Sequence, residues 1–263
     1  MVGPLCWITA CAAAFAPLLF LYLYYLASKI QRHNQGTRAN GIQIISDPVN
    51  AKFEIVAVHG LGAHPEYTWA CDAHTQGGGP PKKIHVLRDL LAESFPEARI
   101  LSFAYNSDWL INAPIKTAYQ IGERLLDQLV EDRRNREQRL PIIFIGHSFG
   151  GIAIKQALCR LGEAEQIIDD TSGILFLGTP HQGSPLSVFG FIIAWVTSLL
   201  GSSTGLLFTL RYHSSQLSDL DSRFDDVRTR LKDAKIYSVC ETRPTYILGY
   251  LSAGLVSLLL SLY

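Results

Sequence analysis

The chain has 263 residues, enough for one catalytic domain of ordinary size with one or two appended segments. It carries 23 Lys plus Arg and 23 Asp plus Glu, so the absence of a basic excess argues against a nucleic-acid-binding protein. Its 5 cysteines are an odd number without metal-type spacing, which indicates neither a disulfide framework nor a zinc site.

The N-terminus predicts a membrane anchor. Residues 5–27 carry no charge, and about 23 residues exceed the ~20 that a helix needs to cross a bilayer core. A cleaved signal peptide would have a positive start and a shorter apolar run. Lys29, Arg32 and Arg38 follow the run and no basic side chain precedes it, so we expect the rest of the chain to face the cytosol. The predicted anchor is 1–28, and the polar segment 29–40 is a linker.

The segment 41–245 has the pattern of an α/β domain. Short apolar runs bounded by Gly, Pro or polar residues indicate buried strands at residues 53–58, 100–103, 142–145, 174–177 and 236–239. Amphipathic helical patterns lie between them, at 115–133 and after residue 148. Strands alternating with helices predict a mostly parallel sheet with helices on both faces. The charged stretch 131–139 is predicted to be a solvated helix face, and the glycine-rich stretch 75–83 a surface loop.

The sequence "GHSFGG" predicts a nucleophile. Gly146, Ser148 and Gly150 occupy the G-x-S-x-G positions between a predicted strand and a predicted helix. The sharp turn requires flanking residues without a Cβ, and it holds the serine hydroxyl clear of the backbone. The alternative is a glycine-rich turn with an incidental serine.

The sequence "VAVHGLG" follows the first strongly apolar strand. A turn at this His-Gly pair would aim the backbone N–H of Leu61 at the nucleophile, and the N–H of Phe149 would supply the second donor of an oxyanion hole. His59 is then better explained as a packing and hydrogen-bonding residue of the turn than as a catalytic base.

Four motifs in order, "VHGLGAHPEYTW", "GHSFGGIAIKQAL", "FLGTPHQGS" and "YSVCETRPT", resemble the serine active site-containing protein family. The resemblance covers most of residues 50–245. It implies an α/β-hydrolase fold related to lipid-remodelling esterases, in a membrane of the endoplasmic reticulum or mitochondrion. It further implies Ser148 as nucleophile, Glu241 as acid, a fatty-acyl or related ester as substrate, and no cofactor. Glu241 also follows a late strand, at the sheet edge where α/β folds present functional groups.

The chain departs from the family because no histidine follows Glu241, although the expected order is Ser, acid, His. The last strand and the histidine loop are replaced by the uncharged segment 246–263. Three explanations stay open: a second membrane helix, a buried helix, or the tail of a truncated product. His181 is interpreted as a packing or hydrogen-bonding residue, and it is the leading candidate for a substitute base, with His213 behind it.

The apolar segment within 187–213 is predicted to be a lid-like insertion that receives an acyl chain, with plain core packing as the alternative. The sequence therefore predicts a membrane-anchored serine hydrolase of acyl or lipid esters, impaired for lack of the histidine. The competing hypothesis is a membrane-tethered pseudoenzyme that binds lipid or a partner.

Overall fold

The structure is a computed structural model. It describes residues 40–60, 65–73, 82–105, 117–134, 136, 138–160, 162, 164–181, 215–231 and 233–240. The predicted anchor, the linker up to residue 39, the lid-like insertion from residue 187 and the C-terminal tail lie outside these residues.

The main sheet has six strands. They are β1 (Gly41–Ser46), β2 (Phe53–Val58), β5 (Ala98–Ala104), β6 (Ile142–His147), β7 (Thr171–Leu177) and β8 (Lys235–Val239). Their spatial order is β1-β5-β2-β6-β7-β8, and every pairing is parallel except that of β1 with β5. A separate antiparallel pair is formed by β3 (Ala70–Ala73) and β4 (Lys82–His85). The mostly parallel sheet is confirmed.

Helices connect the strands. They are α1 (Pro65–Thr68), a π-helical turn (Val86–Leu91) continued by α2 (Ala92–Ser94), α3 (Ala118–Arg134), α4 (Phe149–Leu158), α5 (Glu165–Asp170) and α6 (Ser215–Arg230). None of the helices in the described ranges is long and apolar enough to cross a membrane.

The central strands of the sheet are buried on both faces. Because successive side chains of a strand point to opposite faces, Val56 and Val58 pack with α3, α4 and α6, while Ile55 and Ala57 pack with Trp69 and Leu87 on the other side. Helical segments therefore lie on both faces, as the sequence predicts. The five predicted strands are all found, each extended by up to three residues, and the helix predicted at 115–133 is found as α3.

The predicted surface loop 75–83 is wrong at its end. Lys82 and Lys83 belong to β4, where they pair with Ala73 and Asp72. Their side chains are exposed, so the pairing rests on the backbone, and an exposed two-stranded ribbon leaves little hydrophobic pattern to detect.

The predicted solvated face at 131–139 is also wrong in part, because two of its residues join a buried ion network at the edge of the sheet where the parallel strands begin. Glu54 is fully buried and accepts hydrogen bonds from Arg99, at 2.8 Å, and from Arg133. Asp132 binds Arg99 at 2.6 Å, and Arg133 also donates to Asp170 at 2.7 Å. Burial by itself would lower the pKa of Arg99, but its hydrogen bonds to Asp132 and Glu54 outweigh burial and raise it.

Replacing Glu54 by Gln should destabilise the fold strongly. The change removes one charge of the network and leaves Arg99 and Arg133 buried with fewer partners, an effect of about 3 kcal/mol or more. The matched control is Glu97→Gln, because Glu97 forms an exposed pair with Lys52 at 3.9 Å and its loss should cost less than about 1 kcal/mol. Urea unfolding midpoints of the two variants would measure the difference, and equal midpoints would contradict it.

Candidate active site

Three parallel strands end beside Ser148. This residue lies directly between β6, which ends at His147, and α4, which begins at Phe149. Its backbone N–H donates to the carbonyl oxygen of Leu177, the last residue of β7, at 2.8 Å. On the other side, β2 leads into His59 and Gly60, which pass next to Ser148. Ser148 therefore lies at the carboxyl edge of the sheet, where α/β folds present functional groups.

The backbone of Ser148 has the conformation that a nucleophile elbow requires. Its φ is 52° and its ψ is −122°, and no other non-glycine residue in the described ranges has a positive φ. An L-residue held in such a conformation costs about 1–3 kcal/mol and persists only where surrounding structure enforces it. The strained strand–serine–helix turn agrees with the predicted nucleophile.

The glycines around Ser148 are needed for close backbone approaches. A Cβ on Gly146 would lie 2.6 Å from the Cα of Gly151, and a Cβ on Gly150 would lie 2.1 Å from the carbonyl oxygen of Val58. The steric reason predicted for these two glycines is therefore confirmed. Gly151 was not predicted, although a Cβ there would lie 2.2 Å from Oγ1 of Thr179.

One of the two predicted oxyanion donors lies within the described residues. Phe149 is the first residue of α4, so its N–H has no acceptor inside the helix, and none of the described residues accepts from it. Leu61 lies outside the described residues, but Gly60, to which it is bonded, is in place. A Cβ on Gly60 would lie 3.0 Å from the Cβ of Ser148, so the chain that enters Leu61 passes next to the nucleophile.

His59 serves the turn, as predicted. It is fully buried, and its ring stacks on Tyr105 with centroids 4.4 Å apart. Nε2 accepts the backbone N–H of Tyr105 at 3.3 Å, which leaves the proton on Nδ1 to be donated to the carbonyl oxygen of Gly60 at 2.9 Å. Burial raises the pKa of Tyr105, whose hydroxyl donates to the carbonyl oxygen of His59 at 2.9 Å. Tyr105 was missed by sequence reasoning because nothing marks it as a partner of His59.

His181 lies against the face of β7 and β8 that packs with α4 and α6. Its ring packs edge-on against Phe176, with centroids 4.8 Å apart, and Nε2 lies 3.4 Å from Oγ of Ser238. His181 lines a cavity together with Lys155, which pairs with Asp221 at 2.6 Å. Burial, followed by the charge of Lys155, lowers the pKa of His181 to about 4. Within the described part of the chain, no hydrogen bond joins His181 to Ser148, and the packing role predicted for this histidine fits its contacts.

The predicted acid follows a strand end that the structure does describe. The N–H of Gly178 donates to the carbonyl oxygen of Val239 at 2.8 Å, which holds the end of β8 beside the end of β7. Glu241 comes two residues later and lies outside the described residues, as does His213. Their predicted roles stay predictions.

A group of polar and charged residues holds α1, the helix that follows Leu61 in the chain. Glu66 in α1 accepts hydrogen bonds from Nη2 of Arg88 at 3.4 Å and lies 3.6 Å from Nε2 of His85. Burial lowers the pKa of His85, and its Nδ1 accepts the N–H of Arg88 at 3.3 Å. These contacts tie α1 to the π-helical turn. They were not predicted, since Glu66 lies 19 positions before His85 and 22 positions before Arg88 along the sequence.

The fold and the strained serine define the class of serine esterases and lipases with an α/β-hydrolase-like sheet. The family model described as "Putative serine esterase (DUF676)" matches residues 55–201, more than half of the chain. The chain belongs to this family, so the predicted family resemblance is confirmed.

Curated relatives and solved structures agree with this assignment. Protein SERAC1 of Bos taurus is 30% identical over 215 residues, covering 77% of this chain and 32% of the relative. Protein SERAC1 of Danio rerio is 27% identical over 222 residues, covering 74% and 31%. The chain thus spans about a third of the length of the curated relatives it matches.

Two solved structures share the fold. Bacillus licheniformis lipase BlEst2 in its propeptide form has a TM-score of 0.54 at 19% identity and covers 78% of this chain and 39% of that chain. Phospholipase PlaB from Legionella pneumophila has a TM-score of 0.51 at 16% identity and covers 75% and 40%.

Proposed function

We propose that this protein acts on acyl or lipid esters with Ser148 as nucleophile. The observation that carries the proposal is the backbone of Ser148, with φ at 52°, at the junction of β6 and α4. A conformation of this kind is costly, and it serves a nucleophile because it holds Oγ clear of the chain. Next to it, the N–H of Phe149 is not used by the described residues.

The proposed reaction is acyl transfer to water through an acyl-enzyme. Oγ of Ser148 would attack the ester carbonyl, lose its proton to a base and form a tetrahedral intermediate. The backbone N–H groups of Phe149 and Leu61 would stabilise the oxyanion, aided by the positive end of the α4 dipole. The alcohol then leaves with a proton, and water releases the acid. Glu241 would orient the base and stabilise its protonated form.

The proposed mechanism needs a general base next to Ser148. Among the described residues, the ring nitrogens of His59 are occupied by Tyr105 and Gly60, and burial holds the pKa of His181 near 4. A general base works best with a pKa near the working pH. The proposal is therefore an impaired hydrolase. The same observations favour the alternative function, a pseudoenzyme that keeps the pocket to bind lipid or a partner.

The proposed substrate class is a lipid or fatty-acyl ester. Two structural neighbours are named as a lipase and a phospholipase, and the chain carries a long apolar segment at 187–208, inside the hydrolase region. In this proposal the segment receives the acyl chain, which would pass from a bilayer to the site without crossing water.

A fluorophosphonate probe tests the proposal. The probe should label Ser148, because its phosphoryl oxygen occupies the same hole as an oxyanion, but more slowly than in an enzyme with a complete triad. Ser148→Ala should abolish labelling, while Ser172→Ala, an exposed serine of β7, should leave it unchanged. Equal labelling of the wild type and Ser148→Ala would refute the proposed nucleophile.

The proposal also includes membrane attachment through residues 1–28 with the domain in the cytosol. Protease added to sealed microsomes should then digest the domain. The basic residues Lys29, Arg32 and Arg38 would keep the chain after the anchor on the cytosolic side of the bilayer, where the protease is added. Replacing these three by Gln should reduce the fraction digested. Full protection of the wild-type domain would contradict the proposed orientation.

A further inference from the structure

All the parallel strands end at one edge of the sheet. β2, β5, β6, β7 and β8 are paired in parallel, so their carboxyl ends lie side by side. Ser148 follows the end of β6 and therefore lies at this edge. We call it the site edge, and we call the opposite edge, at which the parallel strands begin, the far edge.

Three uncharged segments of the sequence connect to the site edge. β1 is antiparallel to β5, and its first residue, Gly41, lies opposite Ala104, the last residue of β5. The segment 5–27 and its linker therefore enter the sheet at the site edge. The segment 187–208 follows the end of β7, and the segment 246–263 follows the end of β8 after the six residues 240–245.

These connections are spread along the whole site edge. The strand order is β1-β5-β2-β6-β7-β8, so β1 and β8 are the two outermost strands and β7 lies beside β8. Five strand spacings separate β1 from β8, which is about 24 Å. Uncharged segments are thus joined to both ends of the site edge and to a point between them.

The two edges of the sheet differ in charge. Among the described residues, the last two of each parallel strand and the one that follows include no Asp, Glu, Lys or Arg. The first two of each parallel strand and the one that precedes them include Lys52, Glu54, Glu97, Arg99, Asp170 and Lys235. Beyond β1, Arg136 also pairs with Asp47 at the far edge, at 2.5 Å. Because charged groups are costly to move from water toward lipid, the far edge suits water, and the site edge can approach a bilayer at lower cost.

We propose that the site edge faces a lipid bilayer, with Ser148 toward the headgroups and the far edge in water. The inference rests on the proposed membrane attachment and not on hydrolysis. The partner is a bilayer because long uncharged segments join this edge at both outermost strands, which would hold the edge parallel to the membrane. Glu241 and Arg243 lie in the connection after β8, so the edge would meet the headgroup layer rather than the hydrocarbon core. An ester taken from the bilayer would then reach Ser148 directly.

A fluorophore placed at either end of β8 tests this orientation. Cys240 is exposed at the site edge and Lys235 is exposed at the far edge. In the full chain with the other cysteines replaced by alanine, one variant keeps Cys240 and the other carries Lys235→Cys with Cys240→Ala. Each is labelled and reconstituted in phosphatidylcholine vesicles with nitroxide-bearing headgroups. About 17 Å separates the two positions along the strand, so we expect quenching at Cys240 to be at least about threefold stronger.

The strand at the other end of the sheet gives an independent pair. Asn40, which precedes β1, is exposed at the site edge, and Val49, in the turn after β1, is exposed at the far edge. We expect a label on Asn40→Cys to be quenched more strongly than one on Val49→Cys. This pair keeps the test valid if a label at Cys240 disturbs the pairing of β8 with β7.

Flotation with the vesicles separates the ways in which the inference can fail. A chain that does not float refutes the proposed membrane attachment and this inference with it. A floating chain that is quenched equally at both ends of β8, or more strongly at the far edge, overturns the orientation alone. Quenching at residue 40 without quenching at Cys240 would show a domain held only by its N-terminal linker. No quenching at any position would place protein rather than lipid over the site edge, and both results also overturn the inference.

Discussion

The purified chain should hydrolyse esters roughly 10⁴- to 10⁶-fold more slowly than a serine hydrolase with a complete triad, since this is the range lost when a triad member is removed. A serine hydroxyl is a poor nucleophile at neutral pH unless an adjacent base takes its proton. The elbow and the N–H of Phe149, which no described residue accepts, would still contribute, so the remaining rate should exceed that of the uncatalysed hydrolysis in water. Hydrolysis of short-chain and long-chain p-nitrophenyl esters measures this directly.

Comparison with variants of the candidate residues shows what the wild-type rate means. If the wild type equals Ser148→Ala, the pseudoenzyme takes the place of the impaired hydrolase. If the wild type turns over at rates ordinary for an esterase, the impairment is refuted. In that case His181→Ala and His213→Ala identify the substitute base, because only the variant that lacks the base should lose the rate.

The pH profile separates these two histidines further. A general base must be neutral, so its rate is full above its pKa and falls as the pH drops through it. With a pKa held at about 4, catalysis by His181 would be flat from about pH 5 upward. A histidine with an ordinary pKa would instead give a rate that rises through about pH 6.5. An inflection near pH 6.5 would therefore exclude His181 in its described surroundings.

Gly150→Ala should cost about 3 kcal/mol or more of stability and abolish labelling of Ser148. The added Cβ would lie 2.1 Å from the carbonyl oxygen of Val58 and 2.7 Å from that of His59. Both are backbone atoms, so α4 would have to move away from β2. Alanine is a better helix former than glycine by about 1 kcal/mol, but this gain is too small to offset the clash.

The control for this substitution is Gly173→Ala. Gly173 lies in β7, and its nearest neighbour to an added Cβ is the carbonyl oxygen of Lys235 at 3.5 Å, which is ordinary contact. Its unfolding midpoint should therefore stay close to that of the wild type. Thermal or urea unfolding of both variants gives the comparison, and a Gly150→Ala protein as stable as Gly173→Ala would show that the helix can shift without cost.

The buried strands were predictable because each is a short apolar run between turn residues. Strands β2, β5, β6 and β7 contribute most of their residues to the two core clusters, so their sequences are mainly apolar. β8 is mostly exposed and was predicted from its short apolar run alone. β1 escaped prediction because it is the antiparallel edge strand, most of whose residues are only partly buried. β3 and β4 form a short ribbon outside the main sheet and carry too few apolar residues to be recognised.

The ion network was not predictable from the sequence. Glu54, Arg99 and Arg133 are 45 and 34 positions apart along the chain, and only the parallel pairing of β2 with β5 and the packing of α3 bring them together. A charged residue in a helix is usually solvated, so the pattern at 131–139 favoured an exposed face. The prediction was wrong there for a physical reason: a charged side chain can be buried where a partner from another element neutralises its charge.

The sequence by itself determined the family, the order of strands and helices around Ser148, and the need for glycine at positions 146 and 150, because these follow from local patterns and from the sterics of one tight turn. Only the tertiary structure decided which histidines are occupied by packing, because the partners of His59 and His181 come from Tyr105, Phe176 and Ser238, on other strands or beyond them. Contacts between distant segments depend on how strands pair and helices pack, which no local pattern records.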